Sequence, residues 1–179
     1  MQNRIEKAKK IKLLILDVDG VLTDAKLYFD EQGKEYKAFN VRDGLGIKLL
    51  QKAGIEVAVI SGRASKPVEL RMEMLGIKLV YLGQLDKGEA FKDIIAKVGC
   101  TADQAAHVGD DLIDLPVLIQ VGLAIAVQDA SEFILPYVDW QTHLTGGHGA
   151  VREVCDFILQ AQGKMDGLVE SFKKIYNDC

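Results

Sequence analysis

The chain has 179 residues, a formal net charge of −4, 49% hydrophobic and 27% charged residues, which excludes a disordered chain and gives no electrostatic footprint for nucleic acid. Its longest greasy stretch, Val121 to Val127, is far too short to span a bilayer, and the charged first twelve residues lack an apolar targeting core, so no membrane association and a cytoplasmic location are expected. Cys100, Cys155 and Cys179 are odd in number and form no C-x-x-C pair, so they read as passive thiols; small anions are the expected partners.

The first predicted element is a buried strand, Leu13 to Leu16, which runs into Asp17-Val18-Asp19-Gly20. Side chains at i and i+2 of a strand share a side, so Asp17 and Asp19 face one space at its carboxyl end, where open parallel sheets bind ligands. Next, within about 25–40, Lys26 to Asp30 and Glu35 to Phe39 flank Glu31-Gln32-Gly33-Lys34 as a β-hairpin. It shows aromatic surface on both sides, covered either by its own domain or by another subunit.

Asp43 then precedes a helix over Leu45 to Ala53, closed by Gly54. A second strand, Val57 to Ile60, delivers Ser61-Gly62-Arg63, either a plain turn or a donor set for phosphate. Pro67 fits the first turn of the following helix. After strand Leu79 to Leu82, Asp86 and Glu89 bracket a helix start that places Lys87 in the first turn and ends at Gly99. A lysine gains nothing from the dipole at that end, so a role beside an anionic group competes with simple solvation.

Strand Ala105 to Val108 leads into Gly109-Asp110-Asp111-Leu112-Ile113-Asp114, with Asp110 level with Asp17 and Asp19 and a capping role suited to Asp111 or Asp114. A last strand, Ala124 to Val127, precedes the Gly146-Gly147-His148-Gly149 loop, either a flexible connection or part of the site entrance. His107 and His143 read as structural and Trp140 as packing. In the tail, about 161–179, Leu168, Val169, Phe172, Ile175 and Tyr176 recur at helical spacing. Strands alternating with helices predict an α/β fold, a doubly wound, Rossmann-like parallel sheet in a single domain, with a small hairpin insertion and no cap domain. Three carboxylates converging at one sheet edge call for a hard cation, and Mg²⁺ suits an oxygen-rich site.

The order of acid pair, serine, lysine and acid pair, each after its own strand, resembles the haloacid dehalogenase superfamily over nearly the whole chain. The resemblance implies Asp17 as a nucleophile forming an aspartyl phosphate, and Asp19 as the acid that protonates the leaving oxygen and later activates water. It also implies Ser61 and Lys87 as holders of the phosphoryl oxygens, and Asp17, the Asp19 backbone carbonyl and Asp110 as Mg²⁺ ligands. Asp17 to Asp24, Asn40 to Ile47, Ser61-Gly62-Arg63, Gly109-Asp110-Asp111 and Gly146 to Glu153 are similar to the small capless branch that dephosphorylates 3-deoxy-D-manno-octulosonate 8-phosphate on the route to lipopolysaccharide. For that branch the resemblance implies substrate contacts at Asp19, Asn40, Val41, Arg42, Asp43, Gly44, Gly62, Arg63, Arg71 and Lys87. It also implies one at position 48, where Lys48 offers a point charge and not a planar fork. Arg63 and Arg71 are otherwise ordinary surface charges.

The same resemblance implies a homotetramer whose neighbouring subunits complete each active site. Three readings compete with an octulosonate phosphatase: a phosphatase for a nine-carbon sialic-type sugar acid phosphate, a receiver-like signalling module, and a silent regulatory domain. A receiver has its acid pair first and its phosphoacceptor after the third strand; here the D-x-D comes first.

Overall fold

The computed structural model describes residues 2–177, and the side chains of 3–174. A short helix, α1 (Gln2–Ala8), precedes β1 (Leu13–Leu16), the hairpin strands β2 (Tyr28–Phe29) and β3 (Glu35–Tyr36), and α2 (Val41–Lys52). There follow β4 (Glu56–Ile60), α3 (Lys66–Leu75), β5 (Leu79–Tyr81), α4 (Lys87–Val98) and β6 (Ala105–Gly109). The chain continues through α5 (Leu115–Leu118), β7 (Leu123–Ala126), β8 (Trp140–Gln141), α6 (Ala150–Ala161) and α7 (Met165–Asn177).

Six strands form one sheet in the order β5-β4-β1-β6-β7-β8, every neighbouring pair parallel. The doubly wound α/β expectation is met. All four residues of β1 are fully buried, and their alternation divides the core: Leu14 and Leu16 join a cluster with Ile47, Val68, Met72 and Val154, while Leu13 and Ile15 join Phe91, Ile94 and Val117. Helices α2, α3 and α6 therefore cover one face and α4 and α5 the other. Each buried Leu or Ile contributes about 1.5–3 kcal/mol, so the central strand is a rigid base for the residues at its end. The chain winds outward from β1 through β4 and β5, then returns to β6 on the opposite side of β1. This is the switch point at which such sheets open a crevice at their carboxyl edge.

Three details differ from the sequence expectation. Helix α2 starts before Asp43: Asn40 is its cap, accepting the Arg42 amide at 2.8 Å. Asp43 is buried and accepts the Arg152 amide at 2.8 Å, capping α6 from another helix because Gly149, at the start of α6, has no side chain to do so. Trp140 packs as expected, against Phe157, and also opens a sixth strand too short to show a period-2 pattern. The hairpin forms with two residues on each arm, and Leu27, Tyr28, Phe29 and Tyr36 are exposed. Cys100 and Cys155 are free thiols, whereas Cys179 and the side chains of Ile175 and Tyr176 lie outside the described residues. No described helix is long and apolar enough to cross a membrane.

Candidate active site

The amide of Asp17 continues the ladder beyond β1 by donating to the Val108 carbonyl at 3.1 Å, which fixes the carboxylate at the edge of the sheet. Gly20 follows with φ +90°, and a Cβ there would lie 2.1 Å from Asp110 Oδ2; only glycine allows this turn and this approach of the two acidic loops. The Gly146-Gly147 loop packs directly on the same turn: a Cβ on Gly146 would stand 1.7 Å from the Gly20 carbonyl oxygen, and the Gly147 amide donates to Val21.

Lys87, first residue of α4, is wholly buried, and its Nζ lies 2.9 Å from Asp17 Oδ1 and 2.7 Å from Asp114 Oδ1. Burial opposes its charge, but the two carboxylates outweigh that penalty and raise its pKa above the ordinary lysine value. Asp114 accepts from His107 Nε2 at 2.9 Å and from the amides of Asp110 and Asp111 at 3.0 and 3.4 Å, while Asp111 caps its own short helical turn. The capping expectation holds, yet Asp114 also anchors Lys87, a role missed in the sequence. Its position four residues after Asp110, at the start of a turn, was the available signal. Burial works against ionisation of Asp114, but His107 and Lys87 prevail and hold it well below the usual carboxylate range.

Carboxylate oxygens of Asp17, Asp110 and Asp114 all lie within 4.8 Å of one another. Both oxygens of Asp114 already accept hydrogen bonds, so the acceptors left open for a cation are on Asp17 and Asp110. Among the described residues the Asp19 carbonyl accepts no hydrogen bond. Two buried carboxylates and a half-buried one against one lysine leave excess negative charge, and hard oxygen donors in that setting fit Mg²⁺.

Burial first, then the Asp114 charge, pushes Asp17 up to about 6, with Lys87 partly offsetting; burial, then Asp17 and Asp114, pushes Asp110 up to about 8. Cation binding needs both deprotonated, so Mg²⁺ affinity should rise as pH rises from about 6 to 8, with protons released. Folded pKa values above the unfolded ones mean that, without metal, these two groups stabilise the fold at low pH. That contribution is lost as pH rises from the ordinary carboxylate range through about 8. Calorimetric Mg²⁺ titrations in two buffers of different ionisation enthalpy check this; an affinity independent of pH with no proton release would contradict it.

A cavity of about 280 Å³ opens over these groups, lined by Asp17, Asp19, Ser61, Gly62, Arg63, Lys87 and Asp110, with Asp111 and Ile113 at its side. Ser61 is buried, and its Oγ accepts the Arg63 amide at 3.2 Å. Asp19 does not join the carboxylate cluster but pairs with Lys37, a hairpin residue the sequence reading passed over. The other residues singled out stand apart. Asn40 lines a smaller cavity of about 120 Å³ with Asp24, Gly147 and His148. Arg71 lies 5.9 Å over the Phe39 ring and packs on Gly44, Lys48 approaches Gly76, and Val41 and Arg42 are exposed.

Such a sheet, with acids after its first and fourth parallel strands and a buried lysine between them, defines a haloacid dehalogenase-like hydrolase, and that family matches residues 80–154. The 3-deoxy-D-manno-octulosonate 8-phosphate phosphatases of Salmonella typhi and Escherichia coli K12 are 54% and 53% identical over 160 and 162 residues, covering 89% and 90% of this chain and 85% and 86% of theirs. The crystal structure of the Yersinia pestis phosphatase superposes with a TM-score of 0.91 at 51% identity, covering 92% of this chain and 89% of that one. The Moraxella catarrhalis phosphatase, solved with magnesium, phosphate and KDO, gives 0.93 at 42% identity over 96% and 99% of the two chains. The chain belongs to the 3-deoxy-D-manno-octulosonate 8-phosphate phosphatase family.

Proposed function

We propose that the protein is a Mg²⁺-dependent phosphomonoesterase that hydrolyses 3-deoxy-D-manno-octulosonate 8-phosphate to the free sugar acid and phosphate, a step towards lipopolysaccharide. The observation that carries this reading is Asp17, fixed at the sheet edge, paired to a wholly buried lysine and open to a cavity rimmed by Ser61 and Arg63.

In this reading Asp17 attacks the phosphorus and becomes the aspartyl phosphate. A carboxylate cannot approach a phosphate dianion against their mutual repulsion, and Lys87 offsets part of it. Asp17, the Asp19 carbonyl and Asp110 would hold Mg²⁺, which supplies further charge neutralisation on the phosphoryl oxygens when bound. Ser61 and the Gly62 amide donate to those oxygens, and Arg63 meets an anionic part of the substrate. Asp19 protonates the leaving alkoxide, then takes a proton from the water that hydrolyses the intermediate.

The whole chain acts as one cytoplasmic phosphatase domain without a cap, so closure of the site falls to a neighbouring copy. Asn40, Val41, Arg42, Asp43, Gly44, Lys48 and Arg71 lie outside the cavity of their own subunit, and the exposed aromatic hairpin offers an assembly surface. Both features support a homotetramer with active sites at subunit interfaces, in which the exposed members of this set reach the sugar acid in an adjacent pocket and buried Asp43 orients them from within the fold.

Turnover of the octulosonate 8-phosphate and of a nine-carbon sialic-type 9-phosphate, measured with sedimentation over a range of protein concentrations, tests substrate and assembly together. Preference for the eight-carbon ester and activity confined to the assembled form are expected. Fast hydrolysis of the nine-carbon ester alone would overturn the substrate, and a fully active monomer would overturn the shared pocket.

A further inference from the structure

Lys37 is an unusual lysine for a small surface hairpin: its side chain is 1% exposed, and its Nζ pairs with Asp19 Oδ1. A flexible, strongly hydrated ammonium stays out of water only where anions hold it. The second anion is Glu35, whose carboxylate lies 3.5 Å from the same Nζ. Glu35 is itself tied down from the other side of the cavity, by Ser65 Oγ at 2.5 Å and Arg63 Nη2 at 2.9 Å. An unbroken polar chain thus runs from Ser65, at the cap of α3, through Glu35 and Lys37 on the hairpin, to Asp19 in the turn after β1. The contact engages Oδ1 of Asp19, and among the described residues Oδ2 has no side-chain donor, although Asp19 lines the cavity.

We propose that Lys37, held by Glu35, is a positioning residue that clamps one oxygen of Asp19 and thereby aims the other at the leaving group of the substrate. The inference rests on the reading of Asp19 as the proton-handling group. As the P–O bond breaks, the carboxylic O–H of Asp19 gives its proton to the departing alkoxide oxygen, and the electron pair of that bond goes with the oxygen. The carboxylate left behind keeps its contact with Lys37 until it takes a proton from the attacking water. Nothing in the sheet orients this side chain: Asp19 sits beyond β1, in a turn whose next residue, Gly20, has φ +90°. The hairpin therefore performs a task inside the subunit, beside the assembly surface it presents outside.

A sugar alkoxide needs protonation to leave and p-nitrophenolate does not, so the rate at which each ester forms the aspartyl phosphate in a single turnover separates aiming of Asp19 at the leaving group from its later role on water, which both esters share. Lys37→Met is expected to lower the single-turnover rate of aspartyl phosphate formation from octulosonate 8-phosphate by about 10- to 100-fold, with KM nearly unchanged, and to lower that from p-nitrophenyl phosphate less than about threefold. Lys37→Arg should recover part of the loss, and Glu35→Gln should give a weaker loss with the same selectivity. Mg²⁺ titration of each variant verifies that the acidic cluster is still built. Equal losses on both esters, a change confined to KM, or faster turnover of the sugar ester by Lys37→Met would each overturn the proposal. A wild-type protein that cleaves neither ester would instead overturn the phosphatase reading itself.

Discussion

Asp17→Asn is expected to leave a folded protein whose phosphate release from octulosonate 8-phosphate is at least about a thousandfold slower than wild type. The amide occupies the same volume at the end of β1, and Lys87 keeps its 2.7 Å contact with Asp114, so the buried cation does not lose its last partner. Loss of one negative charge also relieves Asp110, which Asp17 helps to push up to about 8. What disappears is the nucleophile of the proposed reaction: an amide oxygen cannot form a stable bond to phosphorus. Thermal midpoints with and without Mg²⁺ separate folding from chemistry, and intact-protein mass after acid quench reports the phosphorylated enzyme. Wild-type turnover by this variant would remove Asp17 from the reaction.

Lys87→Met is expected to destabilise the protein by roughly 3–5 kcal/mol and to lower kcat by about a hundredfold or more. Methionine fills most of the lysine volume, so the loss comes from charge and not from a cavity. Two carboxylates would then face each other across a site where nothing is exposed on Lys87 or Asp114. The double variant Lys87→Met, Asp114→Asn removes one of those charges and should recover part of the stability but none of the turnover. Mg²⁺ should stabilise the single variant more than wild type, because the cation replaces the missing positive charge. Chemical denaturation of the four proteins of this cycle measures the coupling; an additive cycle would show that Lys87 and Asp114 do not act as a pair.

Most of the sheet was legible because its five principal strands are short apolar runs whose ends carry the polar residues. Asp17, Ser61 and Asp110 each follow a strand directly and Lys87 opens the helix after β5, and a parallel sheet brings such positions together whatever lies between them. Side chains whose partners come from distant segments were not legible. Asp43 looked like a cap for its own helix and caps one that starts more than a hundred residues later. Asp114 looked like a cap and also anchors Lys87; His107, read as structural, supports that anchor from β6. Lys37 looked like one of many hairpin charges, since no local pattern reports that a lysine is buried. The two-residue β8 is too short to carry any periodic signal.

The bond from Asp43 to Arg152 also orders events in time. Residues 109 positions apart must meet before the buried carboxylate has its donor, which at roughly 5–20 residues per second is a delay of about 5–20 s during synthesis. Helix α2 can dock on β4 early, but the face that carries Asp43 stays in water until α6 has been made. A message truncated before that point would encode a chain with Asp17, Lys87 and both acidic loops in place, yet unable to close its own interior, and such a chain is a natural target for proteolysis.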